Sequence, residues 1–187
     1  MAAPHGMKGN SRDMVISMVV LIVPVLLITW FFTRTPAPEV ETVDVAPVLA
    51  QAQEESPYPV LRPAGLPADW QPVRAAWAAD GERWITGEPA VGNSWQLGYM
   101  APNDIYVGLQ QRDRAIPSFI TWVTREGLKE EGSLDAAGLT WDRYVSHDGR
   151  TRSLIAETDD VVAAITGDTD YTQLEAFATT LTSQAAD

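Results

Sequence analysis

Cysteine is absent from the 187-residue chain, and histidine and basic residues are scarce. Without cysteine the protein can form no disulfide and perform no thiolate chemistry, so an exported domain would be stabilised by its core alone. Thirteen Lys and Arg residues stand against 25 Asp and Glu residues, which gives a formal net charge of −12. This excess of negative charge disfavours binding to nucleic acid and to anionic lipid head groups.

Sequence motifs for catalysis are also missing. The chain contains no G-x-S-x-G, S-x-x-K, P-loop or G-x-G-x-x-G pattern. A calcium loop counted from Asp168 would need a glutamate at its twelfth position, where the chain has Thr179. His147 lies in a predicted turn, without the partners that a metal or catalytic site needs. The sequence therefore predicts no catalytic residue, cofactor or metal. It favours a protein that is not an enzyme, and a hydrolase using the acidic loops 88–93 or 129–135 is the least favoured hypothesis.

Charge is absent from residues 14–32 (MVISMVVLIVPVLLITWFF), a run of nineteen residues. At 1.5 Å per residue, a helix of this length reaches about 28 Å, close to the roughly 30 Å hydrocarbon core of a bilayer. The pattern predicts a retained transmembrane helix in the lipid bilayer, with Arg12, Trp30 and Arg34 as anchors at the membrane interfaces. A cleaved signal peptide is the alternative, but its apolar region is usually shorter and ends at a small-residue cleavage site.

The charges that flank this run predict its orientation. Lys8 and Arg12 precede it, whereas Arg34 is followed by acidic residues. Because positive residues favour the cytoplasmic side, we expect a single-pass protein with a cytoplasmic N-terminus and an extracytoplasmic C-terminal domain. The predicted segments are a cytoplasmic tail (1–13), a transmembrane helix (14–32), a linker (33–43) and an extracytoplasmic domain (44–187). Residues 35–187 carry ten basic and 24 acidic residues, so this part of the chain has a charge near −14 (10 − 24).

After the linker, the hydrophobic pattern changes to short segments. A short helix is predicted over 44–55, and the proline-rich segment 56–70 is predicted to be an ordered strap over the core. Alternating and helical periodicities then predict strands and two further helices. The strands are 73–78, 83–86 as its hairpin partner, 94–100, 105–110, 140–146, 151–157 and 161–166; the helices are 115–126 and 171–182; and 128–139 is a loop.

Two parts of this domain resemble each other. Residues 97–124 align with residues 154–182 when one residue is inserted, and each part has a strand, an acidic turn, a strand, a loop and a helix. The predicted fold class is α+β, with an N-terminal transmembrane helix followed by an antiparallel sheet packed against two helices. We expect both helices on one face of the sheet, and we take a duplicated β-β-β-α unit as a hypothesis.

Short motifs along nearly the whole chain resemble a known family, the uncharacterised actinobacterial single-pass membrane proteins grouped as domain of unknown function 4245. The resemblance implies an envelope location and the same fold, and it implies no chemistry. The motifs are the anchor near the N-terminus, Ala46-Pro47-Val48-Leu49, Tyr58-Pro59-Val60-Leu61, Pro63-Ala64-Gly65-Leu66-Pro67 with Trp70, Trp95-Gln96-Leu97-Gly98-Tyr99, Tyr106-Val107-Gly108-Leu109, and Thr166-Gly167 before Leu174-Glu175.

One tryptophan stands apart from the predicted core. Trp122 lies off the apolar stripe of its helix, which is formed by Ile116, Phe119, Ile120 and Val123. An exposed tryptophan on an exported domain often marks an interface, so Trp122 is the candidate interaction surface. The favoured function is a membrane-anchored, non-catalytic domain that binds another cell-envelope component, with a protein as the expected partner. The alternative is an envelope lipid- or glycan-binding domain with an aromatic-lined cavity.

Overall fold

The computed structural model describes residues 11–32, 41–102 and 104–184. The chain divides into two compact units, Met1–Glu39 and Val40–Asp187. The elements are α1 (Ser11–Phe32), α2 (Ala46–Glu55), β1 (Val60–Pro63), β2 (Gln71–Ala78), β3 (Ser94–Ala101), β4 (Ile105–Arg112), α3 (Ile116–Val123), β5 (Leu128–Ala136), β6 (Leu139–Val145), β7 (Arg152–Glu157), β8 (Val162–Gly167), α4 (Tyr171–Thr179) and β9 (Leu181–Gln184).

Helix α1 is the part of the first unit that the structure describes. Its described side chains, those of residues 14–30, are exposed, and Pro24 lies inside the helix. Within the described residues, no helix combines the length and the apolar character that a membrane crossing requires. The transmembrane helix over 14–32 therefore stays a prediction.

The second unit is built on a seven-stranded antiparallel sheet with the strand order β2-β3-β4-β8-β7-β6-β5. The predicted hairpin β3–β4 is confirmed, and β7 pairs with β8 as predicted. A separate two-stranded ribbon pairs β1 with β9, which places the strap at 56–70 beside the C-terminal strand. The predicted α+β class with an antiparallel sheet is therefore confirmed.

Helices α3 and α4 of this unit cover opposite faces of the sheet. The main core contains Leu174 and Phe177 of α4 together with Ala163 and Ile165 of β8. The alternate β8 residues contribute instead to a second core beneath α3, whose buried members are Phe119, Val123, Ile155, Val162 and Ala164. Because successive strand residues point to opposite faces, the prediction that both helices lie on one face is wrong. The physical reason is that β8 is buried on both sides, so each side needs a cover.

The strand order has the arrangement expected of two β-β-β units that meet at β4 and β8. β2-β3-β4 on one side mirrors β6-β7-β8 on the other, and β4 and β8 run antiparallel. A two-fold relation between the units would, however, place α3 and α4 on the same face of the sheet. In addition, the edge strand β5 has no counterpart at the other edge of the sheet. The repeat hypothesis therefore holds for the strand order and fails for the helices.

Two other local predictions are wrong. Residues 83–86 form no strand beside β2, because only an isolated bridge joins Arg83 to Pro89 and β3 is the partner of β2. The predicted loop at 128–139 is the edge strand β5 and its turn into β6. Residues 128–133 are all exposed, so the alternation that identifies a half-buried strand is missing there.

Candidate functional site

The exposure of Trp122 follows from the geometry of α3. Phe119 and Val123 are buried against the sheet, whereas Trp122 lies a quarter turn from that stripe and is 61% exposed. Its ring centroid is 6.2 Å from that of Phe119, and the two ring planes are tilted by 34°, so the indole packs against the core residue beneath it. The position of Trp122 off the apolar stripe therefore predicts its exposure correctly.

The other tryptophans of the second unit, all within the described residues, are buried or half-buried. The indole N–H of Trp95 donates to the carbonyl of Leu61 (2.9 Å), and that of Trp141 donates to the carbonyl of Ala136 (3.0 Å). Trp70 stacks on Phe177 in the main core, with ring centroids 5.5 Å apart. These tryptophans stabilise the fold and leave Trp122 as the exposed one.

Trp122 forms part of a depression of about 650 Å³ on the outside of α3. We call it the Trp122 surface, and its residues are Ser118, Thr121, Trp122, Arg125 and Glu126.

The chain reverses sharply at one end of this surface. Arg125 and Glu126 both adopt the left-handed backbone conformation, with φ of 56° each. The N–H of Glu126 donates to the carbonyl of Thr121 (2.8 Å), and the N–H of Gly127 donates to the Thr124 hydroxyl (3.2 Å). Residues other than glycine, asparagine and aspartate are strained in this conformation, and backbone strain of this kind is concentrated at functional sites. Two consecutive residues with this conformation close the end of α3 directly beside Trp122.

A second depression, of about 360 Å³, shares Arg125 with the Trp122 surface. It lies where the start of β4 meets the end of β8, on the face of the sheet that α3 covers. We call it the polar pocket, and its residues are Asp104, Ile105, Tyr106, Val123, Arg125, Thr151, Thr166, Gly167 and Asp168.

The polar pocket is surrounded by charged and hydroxyl groups, some of which donate hydrogen bonds and some of which accept them. The buried hydroxyl of Thr151 donates to the Asp168 carboxylate, which also lies 3.8 Å from the Arg150 guanidinium. Burial raises the pKa of the Tyr106 phenol, whose hydroxyl lies over Gly98 and is hydrogen-bonded to Gln96. The pocket therefore presents carboxylate acceptors, a guanidinium donor and threonine hydroxyls beside one aromatic residue.

Comparison with protein families finds a match to DUF4245, a family of proteins of unknown function, over residues 7–181. The chain belongs to this family. The match extends from before α1 to the first residue of β9 and so includes both units. No curated protein and no solved structure matches the chain.

In this DUF4245 protein, the residues predicted from sequence lie in different places. Of the three predicted membrane anchors, Trp30 lies in α1, the side chain of Arg12 is outside the described part of α1, and Arg34 is outside the described residues. His147 is exposed in the β6–β7 turn. Asp170 caps α4 as predicted, accepting from the N–H of Gln173.

The polar pocket is not predicted by the sequence. Tyr106 and Thr166 come from β4 and β8, and the strand register places Thr166 beside Gly108, two residues from Tyr106. Only this register, which the sequence does not reveal, brings the two side chains together. The pattern Tyr106-x-Gly108 on one strand with Gly98 on its neighbour is the local feature that indicates a ring lying across two strands.

Proposed function

We propose that this DUF4245 protein is a single-pass protein of the cell membrane whose extracytoplasmic domain binds another cell-envelope protein without catalysing a reaction. The observation that carries the binding part is the exposure of Trp122 beside the strained end of α3. Tryptophan is enriched among the residues that contribute most to protein interfaces, because its large rigid ring loses little entropy on binding.

The anchor part of the proposal rests on residues 14–32. Large apolar side chains from Met14 to Trp30 are exposed along α1. A continuous apolar surface of this kind needs a cover of lipid or protein, and nineteen uncharged residues are long enough to cross a bilayer. The basic residues Lys8 and Arg12 place the N-terminus in the cytoplasm in this proposal.

The absence of cysteine makes the topology straightforward to test. A single cysteine is introduced in the exposed turn (His147→Cys) or near the N-terminus (Gly9→Cys), and intact cells are treated with a membrane-impermeant maleimide. We expect labelling of His147→Cys in intact cells and of Gly9→Cys only after lysis, with both variants remaining in the carbonate-washed membrane fraction. The reverse labelling pattern, or release by carbonate, contradicts the proposed anchor and orientation.

The interaction is tested by crosslinking in intact cells, followed by mild-detergent purification of the full-length protein. We expect a stoichiometric protein partner that is lost in Trp122→Ala. The matched control is Ile85→Ala, which shortens an exposed apolar side chain in another loop. Retention of the partner by Trp122→Ala, or recovery of the protein with lipid or glycan alone, contradicts the proposal and favours the alternative of lipid or glycan binding.

A further inference from the structure

Tyr106 is the aromatic residue that lines the polar pocket, and its ring lies against the sheet. The ring of Tyr106 lies over Gly98 and Gly108, two glycines that face each other on β3 and β4. A methyl group placed on Gly98 would lie 2.7 Å from Cε2 of Tyr106, and one placed on Gly108 would lie 3.2 Å from its Cε1. A methyl group at Gly98 would therefore clash with the ring, and one at Gly108 would fit only if the ring shifted slightly. One face of the ring therefore rests on backbone, and the residue, which lines the pocket, remains 37% exposed.

Polar groups surround this ring on several sides. The Thr166 hydroxyl lies next to Gly108 on the same face of the sheet, 3.4 Å from the methyl position of that glycine. Asp104, Asp168 and Arg125 complete the wall of the pocket. A ligand on the ring would therefore meet hydrogen-bond donors and acceptors at its edge and an apolar surface beneath it.

The charges around the pocket disfavour an ionic ligand of either sign. A cation attracted by Asp104 and Asp168 would also face the guanidinium groups of Arg125 and Arg150. An anion attracted by Arg125 would face both carboxylates and a domain with a charge near −14 (10 − 24). A neutral ligand that offers hydroxyl groups to both kinds of partner satisfies the pocket without an unpaired charge.

We propose that the polar pocket binds a neutral sugar ring, with the apolar face of the ring on Tyr106 and its hydroxyls hydrogen-bonded to Arg125, Asp104, Asp168 and Thr166. The volume of about 360 Å³ lies near the lower end of the range for small-molecule sites, about 300–1,000 Å³, and suits a mono- or disaccharide unit. This inference is independent of whether the Trp122 surface binds a protein.

The backbone conformation of Arg125 allows a substitution that removes its side chain without straining the fold. Arg125→Gly removes the guanidinium and also relieves the positive φ of 56°, so the fold should be retained while the ligand contact is lost. The matched control is Ala137→Gly, which relieves a similar φ of 54° in the β5–β6 turn, outside the polar pocket. Tyr106→Ala removes the aromatic ring from the pocket.

The experiment is saturation-transfer-difference NMR on the full-length protein in phospholipid nanodiscs, because alkyl maltoside detergents would themselves present sugars. The probes are glucose, galactose, mannose, arabinose and N-acetylglucosamine at millimolar concentration, with choline and glucose 6-phosphate as charged comparators. We expect at least one neutral sugar to bind, and its affinity to fall about tenfold or more in Arg125→Gly and in Tyr106→Ala. Ala137→Gly should bind like the wild type.

Three results would overturn the proposal. The first is no saturation transfer to any neutral sugar. The second is equal sugar affinity in the wild type, Arg125→Gly and Tyr106→Ala, with all three folded by circular dichroism. The third is selective binding of choline or glucose 6-phosphate in place of the neutral sugars. None of these results bears on protein crosslinking at Trp122, so the two proposals fail separately.

Discussion

A single residue in the β5–β6 turn is poorly suited to its backbone conformation. The two-residue turn between these strands consists of Ala137 and Gly138, and both have positive φ, 54° and 74°. Tight hairpin turns of this kind prefer asparagine followed by glycine, because alanine is strained where φ is positive.

Ala137→Asn should therefore stabilise the protein. We expect the free energy of unfolding to rise by about 0.5–1 kcal/mol, because asparagine tolerates the left-handed conformation without the unfolded-state entropy of glycine. Urea unfolding followed by tryptophan fluorescence measures the change. Ala68→Asn is the control at an exposed position whose φ is not positive. An equal effect of both substitutions would show that the turn conformation is not the cause.

A buried glutamine holds the strap in place. Gln111 is 3% exposed; its side-chain oxygen accepts from the N–H of Leu61 (2.7 Å), and its amide donates to the carbonyl of Pro59 (3.1 Å). The side chain thus supplies the hydrogen bonds that a neighbouring strand would supply within a sheet.

Gln111→Leu keeps most of the volume and removes both hydrogen bonds. We expect a loss on the order of 2–4 kcal/mol in the free energy of unfolding, because two backbone groups of the strap lose their partner. Chemical denaturation measures the loss, with the half-buried neighbour Gln110→Leu as the matched control. A loss below about 1 kcal/mol for Gln111→Leu would mean that water replaces the side chain and that the strap does not depend on it.

Among the elements, the ribbon β1–β9 joins segments that are far apart in the sequence. Leu181 of β9 is 4% exposed and belongs to the main core, and β9 pairs with all four residues of β1. A chain that ends at Thr180 should lose at least about 3 kcal/mol of stability, because it loses a buried leucine and the partner of β1. A chain that ends at Gln184 is the control. If both truncated chains unfold at the same denaturant concentration, β9 makes no contribution to stability.

The strands that the sequence predicts are flanked by clear turns and have buried side chains, whereas the strand that it does not predict is an exposed edge strand. Strands β3, β4, β7 and β8 are bounded by recognisable turns and rich in apolar residues, so their existence was predictable. Strand β5 lies at the sheet edge with exposed side chains, and its register with β6 shifts between Lys129 and Ser133, so neither alternation nor pairing could be read from the sequence. Its turn also lacks the Asn-Gly pattern that would indicate a hairpin.

The candidate site also has one part that the sequence predicts and one part that it does not. The exposure of Trp122 depends on helical periodicity within one element, which the sequence contains. The polar pocket depends on the register of β3, β4 and β8, and the left-handed backbone at Arg125 depends on tertiary packing at the end of α3. Gly127 beside it approaches the Val145 carbonyl so closely that an added methyl group would lie 2.7 Å from the oxygen. Contacts of this kind become visible only in the folded chain.

At the scale of the whole molecule, one buried and three partly buried tyrosines make the stability of the second unit depend on pH in the alkaline range. Burial raises the pKa values of Tyr58, Tyr99, Tyr106 and Tyr171 above the ordinary value of 10.0. The folded protein therefore holds these protons more tightly than the unfolded chain does. Their contribution to stability is complete below pH 10 and is lost as the pH rises through the raised pKa values.

Tyr58 should dominate this dependence, because it is 6% exposed and its hydroxyl donates to the carbonyl of Asn93 (3.0 Å). Above pH 10, the free energy of unfolding of the wild type should fall more steeply than that of Tyr58→Phe, by up to about 1.4 kcal/mol per pH unit. Near pH 8, Tyr58→Phe should be the less stable protein by about 1 kcal/mol, because it lacks one hydrogen bond. Urea unfolding at a series of pH values tests both parts. Parallel curves for the two proteins above pH 10 would mean that Tyr58 ionises as readily in the folded chain as in the unfolded one.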